Sequence, residues 1–163
     1  MTTRICFVCM GNICRSPLAE GVFRQLAAQA GQAEAFEAAS AGLGRWHVGE
    51  APDPRAQRVA QAHGLTLTSR ARQFQRRDFE RFDLVLALDS EVYADLAALA
   101  SSDADRAKLQ YLRAYDPPAG ADYDVPDPYY GDQRLFETAY QLIEGACRGL
   151  LAALNARPPS PGR

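Results

Sequence analysis

The segment of residues 9–15 constrains this chain most, because it combines a chemical pattern with a change of secondary structure. An apolar run at residues 5–8 precedes the segment and is typical of a short buried strand. Ser16 follows it and is predicted to be the N-cap of a helix. Within the segment, Gly11 and Asn12 tolerate left-handed backbone angles, so successive N–H groups can converge on one point. Together with the helix N-terminus, this loop predicts a cradle for a phosphate-sized dianion.

Two side chains give this loop a chemistry. Cys9 opens it and Arg15 closes it, with five residues between them. A guanidinium can hold two oxygens of an anion at once, and the loop amides, the helix N-terminus and Arg15 together favour the thiolate form of Cys9. A thiolate that faces a bound phosphate is a nucleophile. The bare spacing also occurs by chance in many chains, but a strand-to-helix turn is where open α/β sheets bind ligands.

Composition limits the classes of function. The chain has 163 residues, 47% of them hydrophobic, which suits one soluble domain with a full core. A formal net charge of -2 gives no general reason to expect nucleic-acid or membrane partners, so anion binding must be local. No apolar run approaches the ~20 residues of a membrane span, and the first residues run directly into a strand. We therefore expect a cytoplasmic protein.

The four cysteines are too few and too unevenly spread for a disulfide scaffold, and the two histidines lie far apart. We expect metal-free chemistry without a cofactor. Cys147 lies on the apolar face of the last predicted helix and is interpreted as a core residue.

Strands and helices alternate along the chain, which predicts a single-domain, doubly wound, Rossmann-like α/β fold with four parallel strands and helices on both faces of the sheet. The predicted strands are residues 5–8, 36–42, 82–89 and 108–112. The predicted helices are residues 17–30, 54–63, 90–101 and 133–155. The domain is expected to span residues 1–156, with residues 157–163 as a disordered tail.

Several polar and aromatic residues lie where these elements end. Ser40 is at the tip of the second strand, followed by small residues, and is a candidate supporting hydroxyl. Asp89 follows the third strand and either caps the next helix or braces the phosphate loop. Trp46 is either a core residue or an aromatic wall of the site, and Arg72 belongs either to a solvated basic face or to the site. His63 is interpreted as a helix-terminal residue rather than a base.

A long loop, residues 113–132, contains a second chemical candidate. Asp127 stands between two prolines on a stiff, extended backbone, and Tyr129 and Tyr130 follow it. A plain surface turn would have the same composition. However, a thiolate that attacks a phosphate ester needs a separate acid for the leaving group, and Asp127 is the best-placed carboxyl.

The segments CMGNICRSP at residues 9–17 and DPYY at residues 127–130 closely resemble the low-molecular-weight protein tyrosine phosphatases. The resemblance extends through residues 40–42, 52–53, 71–73 and 82–86 and covers nearly the whole chain. It implies that Cys9 is the nucleophile, Arg15 the phosphate clamp, Ser16 a hydroxyl donor to the thiolate and Asp127 the general acid and base. It also implies that the remaining phosphate-loop residues bind substrate and that three aromatic residues line the cleft: Met10, Gly11, Asn12, Ile13, Cys14, Trp46, Tyr129 and Tyr130.

This resemblance implies hydrolysis of phosphotyrosine, in a protein or a small aryl phosphate, through a phosphocysteine and with release of inorganic phosphate. It implies a reversible Cys9–Cys14 disulfide that protects the nucleophile from overoxidation. A bacterial tyrosine kinase is the partner that such an enzyme would have.

One position departs from the family pattern. Many members carry a histidine where this chain has Ser69, and that histidine supports the phosphate loop. We therefore expect the supporting network of Asn12, Ser16 and Ser40 to be rewired, and Glu20 to lack the histidine that would be its partner.

Two other functions fit parts of the same pattern. An arsenate reductase of this fold would use the same thiolate, but its disulfide relay needs a further cysteine pair, and residues 79–96 contain no cysteine. An arsenate reductase that is coupled to glutaredoxin or thioredoxin by a different relay remains an alternative. A non-catalytic phosphotyrosine-binding module is the second alternative, although binding alone requires neither Cys9 nor Asp127.

Overall fold

The computed structural model describes residues 2–116 and 122–156. The predicted tail at residues 157–163 lies outside the described residues. Four strands form one all-parallel sheet in the order β2-β1-β3-β4. The strands are β1 (Thr3–Cys9), β2 (Phe36–Gly42), β3 (Leu84–Ala87) and β4 (Leu109–Tyr111). The predicted doubly wound α/β architecture is confirmed.

Helices cover both faces of the sheet. They are α1 (Arg15–Gln29), α2 (Pro54–Ala62), α3 (Asp78–Arg81), α4 (Ser90–Leu99), α5 (Asp103–Ala107) and α6 (Gln133–Ala156), with a 3-10 helix at Leu112–Tyr115. Of the helices in the described ranges, none is both long enough and apolar enough to cross a membrane.

The two faces of the sheet are buried against different helices. Phe7 of β1 packs with Phe23 of α1 and Phe136 of α6, whereas Val8 of β1 packs with Leu96 of α4 on the opposite face. Side chains of a strand alternate between faces, so a strand buried on both sides must be apolar throughout. This is why residues 5–8 and β3 are continuous apolar runs.

The last helix closes the core. α6 lies against α1 and the 3-10 helix, and Cys147 on its inner face is fully buried. Its Sγ lies 3.7 Å from the carbonyl oxygen of Ala19, and burial raises the pKa of the thiol. The interpretation of Cys147 as a core residue is confirmed. His63 ends α2, where it pairs with Glu137 at 2.8 Å, as expected of a helix-terminal residue.

Two features of the local structure differ from the predictions. α1 begins at Arg15, one residue before Ser16, so Ser16 as the N-cap is wrong. Its hydroxyl instead bonds inside the phosphate loop, described below. The short helices α3 and α5 were not predicted. Ser102 is the N-cap of α5, and its side chain accepts from the backbone N–H of Asp105.

The strand order determines where the phosphate loop, residues 9–15, lies on the sheet. From the central strand β1 the chain crosses to β2 on one side, and it returns to β3 and β4 on the other side. The crevice of such a sheet opens between the carboxyl ends of the two central strands, where neighbouring connections diverge. Cys9 ends β1, and Asp89 follows β3. The fold therefore brings these two residues to one edge of the sheet.

Truncating a central core residue should cost far more stability than truncating an exposed one of the same type. Leu86 of β3 is fully buried, whereas Leu135 is 43% exposed. We expect Leu86→Ala to lower the free energy of unfolding by about 2–5 kcal/mol and Leu135→Ala by about 1 kcal/mol or less. Urea unfolding measures both values, and equal losses would contradict the described core.

Candidate active site

The phosphate loop contains one residue with a left-handed backbone conformation. Asn12 has a φ of 59°, and its backbone N–H points at Cys9 Sγ at 3.3 Å. The tip of β2 lies directly against this turn, since a Cβ on Gly42 would come within 2.9 Å of the carbonyl oxygen of Met10. The small residues at the end of β2 therefore border the site.

Asn12 and Ser16 hold the sulfur of Cys9 from behind. The backbone N–H of Arg72 donates to Asn12 Oδ1 at 3.0 Å, which sets the orientation of the amide. Asn12 Nδ2 then donates to Ser16 Oγ at 2.8 Å. Ser16 Oγ lies 2.9 Å from Cys9 Sγ and 3.5 Å from the carbonyl oxygen of Ala41. The backbone N–H of Asn12 and the hydroxyl of Ser16 thus both face the sulfur.

Arg15 is a buried cation with fixed partners. Its Nη1 donates to Asp89 Oδ2 at 2.6 Å and to the carbonyl oxygen of Val125 at 2.9 Å. Burial alone would lower the pKa of Arg15, but the sulfur of Cys9 and the carboxylates of Asp89 and Asp127 raise it. Within the described ranges its Nε, also buried, has no hydrogen-bond partner, and its Nη2 has only the 3.6 Å ion pair with Asp127. Nε and Nη2 are therefore the donors that remain for an anion.

Asp89 performs both of the functions that the sequence left open. Its Oδ1 accepts from the backbone N–H of Val92 at 2.8 Å and so caps α4. Its Oδ2 holds Arg15. One carboxylate thus joins the helix after β3 to the phosphate loop after β1.

The segment of residues 124–132, called the acid loop because it carries the predicted acid Asp127, lies over Arg15. Val125 N–H donates to the carbonyl oxygen of Leu88 at 2.8 Å, which extends the edge of the sheet toward the site. Two residues later, Asp127 Oδ2 stands 3.6 Å from Arg15 Nη2. Its Oδ1 accepts from the backbone N–H of Tyr129 at 3.1 Å, and the side chain is 47% exposed. The carboxyl is therefore held in place while it still meets solvent.

These segments enclose a cavity of about 410 Å³. Cys9, only 3% exposed, lies among its lining residues, and Trp46 and Tyr130, 72% and 95% exposed, form its rim. The structure therefore places Trp46 in the cleft wall rather than in the core. The predicted site residues that line the cavity are Cys9, Met10, Gly11, Ile13, Cys14, Arg15, Trp46, Asp127, Tyr129 and Tyr130. Asn12, Ser16, Ser40 and Asp89 do not line it and support the loop from outside.

Two residues of the site escaped the sequence reasoning. His47 lines the cavity, with its ring 6.2 Å from that of Tyr129, and its Nδ1 bonds to Glu50. His47 directly follows Trp46 in the sequence, and this adjacency could have indicated that it lines the same cavity. Arg55 reaches the acid loop from α2, and no local pattern distinguishes it from other arginines.

Cys14 is buried beside the nucleophile. It is 4% exposed and lines the same cavity. Burial raises the pKa of the Cys14 thiol, and the nearby groups of Asp53 and Cys9 raise it further.

Glu20 has other partners in place of the family's histidine. Its Oε1 accepts from Ser40 Oγ at 2.8 Å, and its Oε2 lies 3.4 Å from Arg24 Nη1. Ser40 thus binds Glu20, on the inner side of α1, instead of a histidine. Burial raises the pKa of Glu20, although Ser40 and Arg24 act in the opposite direction.

Arg72 supports the loop through its backbone. Its guanidinium turns away from the cavity and pairs with the buried Asp78 at 3.2 Å. Asp78 Oδ2 also accepts from the backbone N–H of Gln75 at 2.7 Å. The segment that holds Asn12 is therefore itself fixed by a buried carboxylate. Among the described residues, no three His, Cys, Asp or Glu side chains are grouped as metal ligands would be.

Comparison with known proteins gives one family. The family model described as low molecular weight phosphotyrosine protein phosphatase matches residues 4–159. The low molecular weight protein-tyrosine-phosphatase of Streptomyces coelicolor is 53% identical over 156 residues, which are 95% of each chain. The human low molecular weight phosphotyrosine protein phosphatase is 38% identical over 92% of this chain and 94% of its own. The crystal structure of YfkJ from Bacillus subtilis matches with a TM-score of 0.88 and 37% identity, over 95% of this chain and 96% of that one.

The buried Glu20 makes stability depend on pH. Its pKa is raised in the folded state, so its favourable contribution is complete below the unfolded pKa of about 4.3 and is lost as pH rises through the folded pKa. The unfolding free energy of wild type minus that of Glu20→Gln should therefore decrease as the pH rises above about 4. Urea unfolding at several pH values measures this difference.

The Glu34→Gln variant, which removes a carboxyl from an exposed residue, is the control. A Glu20→Gln difference that is constant or grows with pH would contradict the buried carboxyl.

Proposed function

The chain belongs to the low molecular weight phosphotyrosine protein phosphatases, and from that premise we propose which of its side chains performs each step of phosphotyrosine hydrolysis. The observation that carries the proposal is the convergence of Cys9, Arg15 and Asp127 on one cavity at the carboxyl ends of β1 and β3. The phosphatase domain is proposed to be residues 1–156.

In the first step the thiolate of Cys9 attacks phosphorus, and the bond to the aryl oxygen breaks. The loop amides and Arg15 hold the other phosphate oxygens, which supplies the positioning and charge stabilisation that phosphoryl transfer requires. The hydroxyl of Ser16, 2.9 Å from the sulfur, stabilises the thiolate before attack and when it leaves. The product of this step is a phosphocysteine.

Asp127 is proposed to move the protons. Protonated at first, it gives its proton to the leaving phenolate. As a carboxylate it then takes a proton from a water molecule, which attacks the phosphocysteine and releases inorganic phosphate and the Cys9 thiolate. Its support is its position over Arg15, with a side chain that solvent still reaches.

The depth of the cavity supports an aromatic substrate. The nucleophile is almost fully buried, whereas Trp46, Tyr129 and Tyr130 rise above it as flat apolar walls. A phenyl ring spans that depth and packs against the walls, but the shorter phosphoserine does not. The substrates are therefore proposed to be phosphotyrosine in a protein and small aryl phosphates.

The cellular setting is proposed to be the cytoplasm, with a bacterial tyrosine kinase supplying the substrate and with neither nucleic acid nor membrane as a partner. The net charge of -2 supports the last part. Capture of a tyrosine-phosphorylated kinase by the trapping variant Cys9→Ser in cell extract is the expected result, and capture of other phosphoproteins alone would contradict the kinase.

We propose that Cys9 and Cys14 form a reversible disulfide. Peroxide oxidises the Cys9 thiolate to a sulfenic acid, and the Cys14 sulfur then displaces water from it to form the S–S bond. Both thiols line the same cavity and are buried. Because burial raises the pKa of the Cys14 thiol, it stays protonated and does not compete with Cys9 as a nucleophile.

The roles of Cys9 and Asp127 are tested by phosphate release from an aryl phosphate and a phosphotyrosyl peptide, with chelator present. Cys9→Ser should have no activity. Asp127→Ala should lose roughly 10²- to 10⁴-fold on substrates with poor leaving groups. Arsenate reduction with thiol carriers and phosphopeptide binding are measured beside it.

A Cys9→Ser variant that still turns over would contradict the nucleophile. Wild-type protein that reduces arsenate with little phosphatase activity would indicate the reductase. Tight phosphopeptide binding without turnover would indicate the non-catalytic module.

The disulfide is tested by brief peroxide treatment followed by thiol. Wild type should regain nearly all activity and show a Cys9–Cys14 crosslink by mass spectrometry. Cys14→Ser should become irreversibly inactive, because the sulfenic acid oxidises further. Cys147→Ser, which removes a distant buried thiol, should recover like wild type. Full recovery of Cys14→Ser would contradict the disulfide.

A further inference from the structure

We infer that Arg55 is a positioning residue for the acid step: it locks the acid loop to the phosphate loop, so that Asp127 stands over the leaving group. The inference rests on the proposed role of Asp127 as the general acid. Arg55 belongs to the first turn of α2 and is largely enclosed by the segments it joins.

One carboxylate fixes the Arg55 guanidinium. Asp53 Oδ1 accepts from Arg55 Nε at 3.1 Å, and Oδ2 accepts from Nη2 at 2.9 Å. A two-point contact of this kind sets both the position and the plane of the guanidinium. Asp53 is itself immobile: it is 9% exposed, and its Oδ1 also accepts from the Arg55 backbone N–H to cap α2.

The remaining Arg55 nitrogen reaches the acid loop. Nη1 donates to the carbonyl oxygen of Gly131 at 2.9 Å. Gly131 closes the turn that begins after Asp127, because its N–H donates to the carbonyl oxygen of Pro128 at 2.8 Å. The guanidinium carbon also lies 5.7 Å from the ring centre of Tyr129 and 4.6 Å from that of the buried Phe136. Arg55 is thus held between the acid loop and the core.

The same pair is attached to the phosphate loop. The backbone N–H of Asp53 donates to the carbonyl oxygen of Ile13 at 2.8 Å. A continuous path of hydrogen bonds therefore runs from Ile13 through Asp53 and Arg55 to Gly131. On the other side of Asp127, the loop is anchored by Arg15 on Val125 and by Ser90 on Asp124. Arg55 supplies an anchor on the C-terminal side.

The geometry defines what removal of Arg55 would do. The anchors before Asp127 and the contacts of Cys9 with Asn12 and Ser16 do not involve Arg55. The nucleophile should therefore stay in place, while the turn at residues 128–131 and the carboxyl before it lose their fixed position. A displacement of about 1 Å is enough to cost roughly 100-fold in a positioned proton transfer.

The test compares two substrates that differ in their need for an acid. Phenyl phosphate releases a basic phenolate that needs a proton, whereas 2,4-dinitrophenyl phosphate releases a stable anion that does not. The constant kcat/KM covers the steps up to formation of the phosphocysteine and so reports leaving-group protonation. Arg55→Met should lose roughly 10-fold or more on phenyl phosphate and less than about 3-fold on the dinitrophenyl substrate.

Arg58→Met is the matched control, because Arg58 is an exposed arginine of the same helix, and it should behave like wild type with both substrates. Asp127→Asn, which removes the acid itself, should lose more kcat/KM on phenyl phosphate than Arg55→Met does, and little on the dinitrophenyl substrate. The double variant Arg55→Met/Asp127→Asn should be no slower on phenyl phosphate than Asp127→Asn alone, because a missing acid cannot be mispositioned.

Equal losses of Arg55→Met on both substrates, no loss at all, or additive losses in the double variant would each overturn the inference. Should Arg55→Met fail to fold, Arg55→Lys decides by the same comparison, since one ammonium keeps the charge but cannot hold Asp53 and Gly131 in the fork geometry. If Asp127→Asn lost the same activity on both substrates, Asp127 would not be the acid. That result is distinct from one in which Asp127→Asn shows the difference between substrates and Arg55→Met does not.

Discussion

The site depends first on the left-handed turn at Asn12. A non-glycine residue in this conformation costs about 1–2 kcal/mol, so other contacts must hold it. The backbone N–H points at Cys9 Sγ, the amide donates to Ser16, and the Arg72 N–H donates to the amide oxygen. These bonds join β1, the start of α1 and the segment fixed by Asp78. Without them the loop amides would not converge, and the hydroxyl of Ser16 would not face the sulfur.

Arg15 sets the second constraint, because a buried cation must be compensated. Asp89 supplies one close carboxylate at 2.6 Å, and Asp127 stands farther away at 3.6 Å. The same guanidinium holds the backbone of the acid loop at Val125. The phosphate clamp, the helix after β3 and the acid loop therefore share one side chain. The nucleophile and the acid, 118 positions apart in the chain, are organised around a common charge.

The sequence predicted those parts of the fold and the site that rest on local pattern. The buried strands appear in the sequence as apolar runs, and α6 appears as apolar residues repeated at helical spacing. Cys9, Arg15 and Asp127 lie in distinctive short segments. The features that the sequence did not reveal depend on contacts between distant residues. Ser16 looks like a helix cap until the loop turns its hydroxyl to the sulfur, and the bond of Glu20 to Ser40 crosses from a helix to a strand. Nothing in the sequence distinguishes Arg55 from the other arginines, and only the folded structure shows that α2 brings it to Gly131.

The most direct test of the mechanism is to identify the covalent intermediate. In Asp127→Asn the activation of water is slowed, while an activated aryl phosphate still phosphorylates the enzyme without an acid. The variant is mixed with 2,4-dinitrophenyl phosphate, quenched, digested and sequenced by mass spectrometry. The account predicts phosphate on Sγ of Cys9 and on no other side chain. Phosphate on a histidine or a carboxylate, or release of dinitrophenol with no phosphoenzyme, would contradict it.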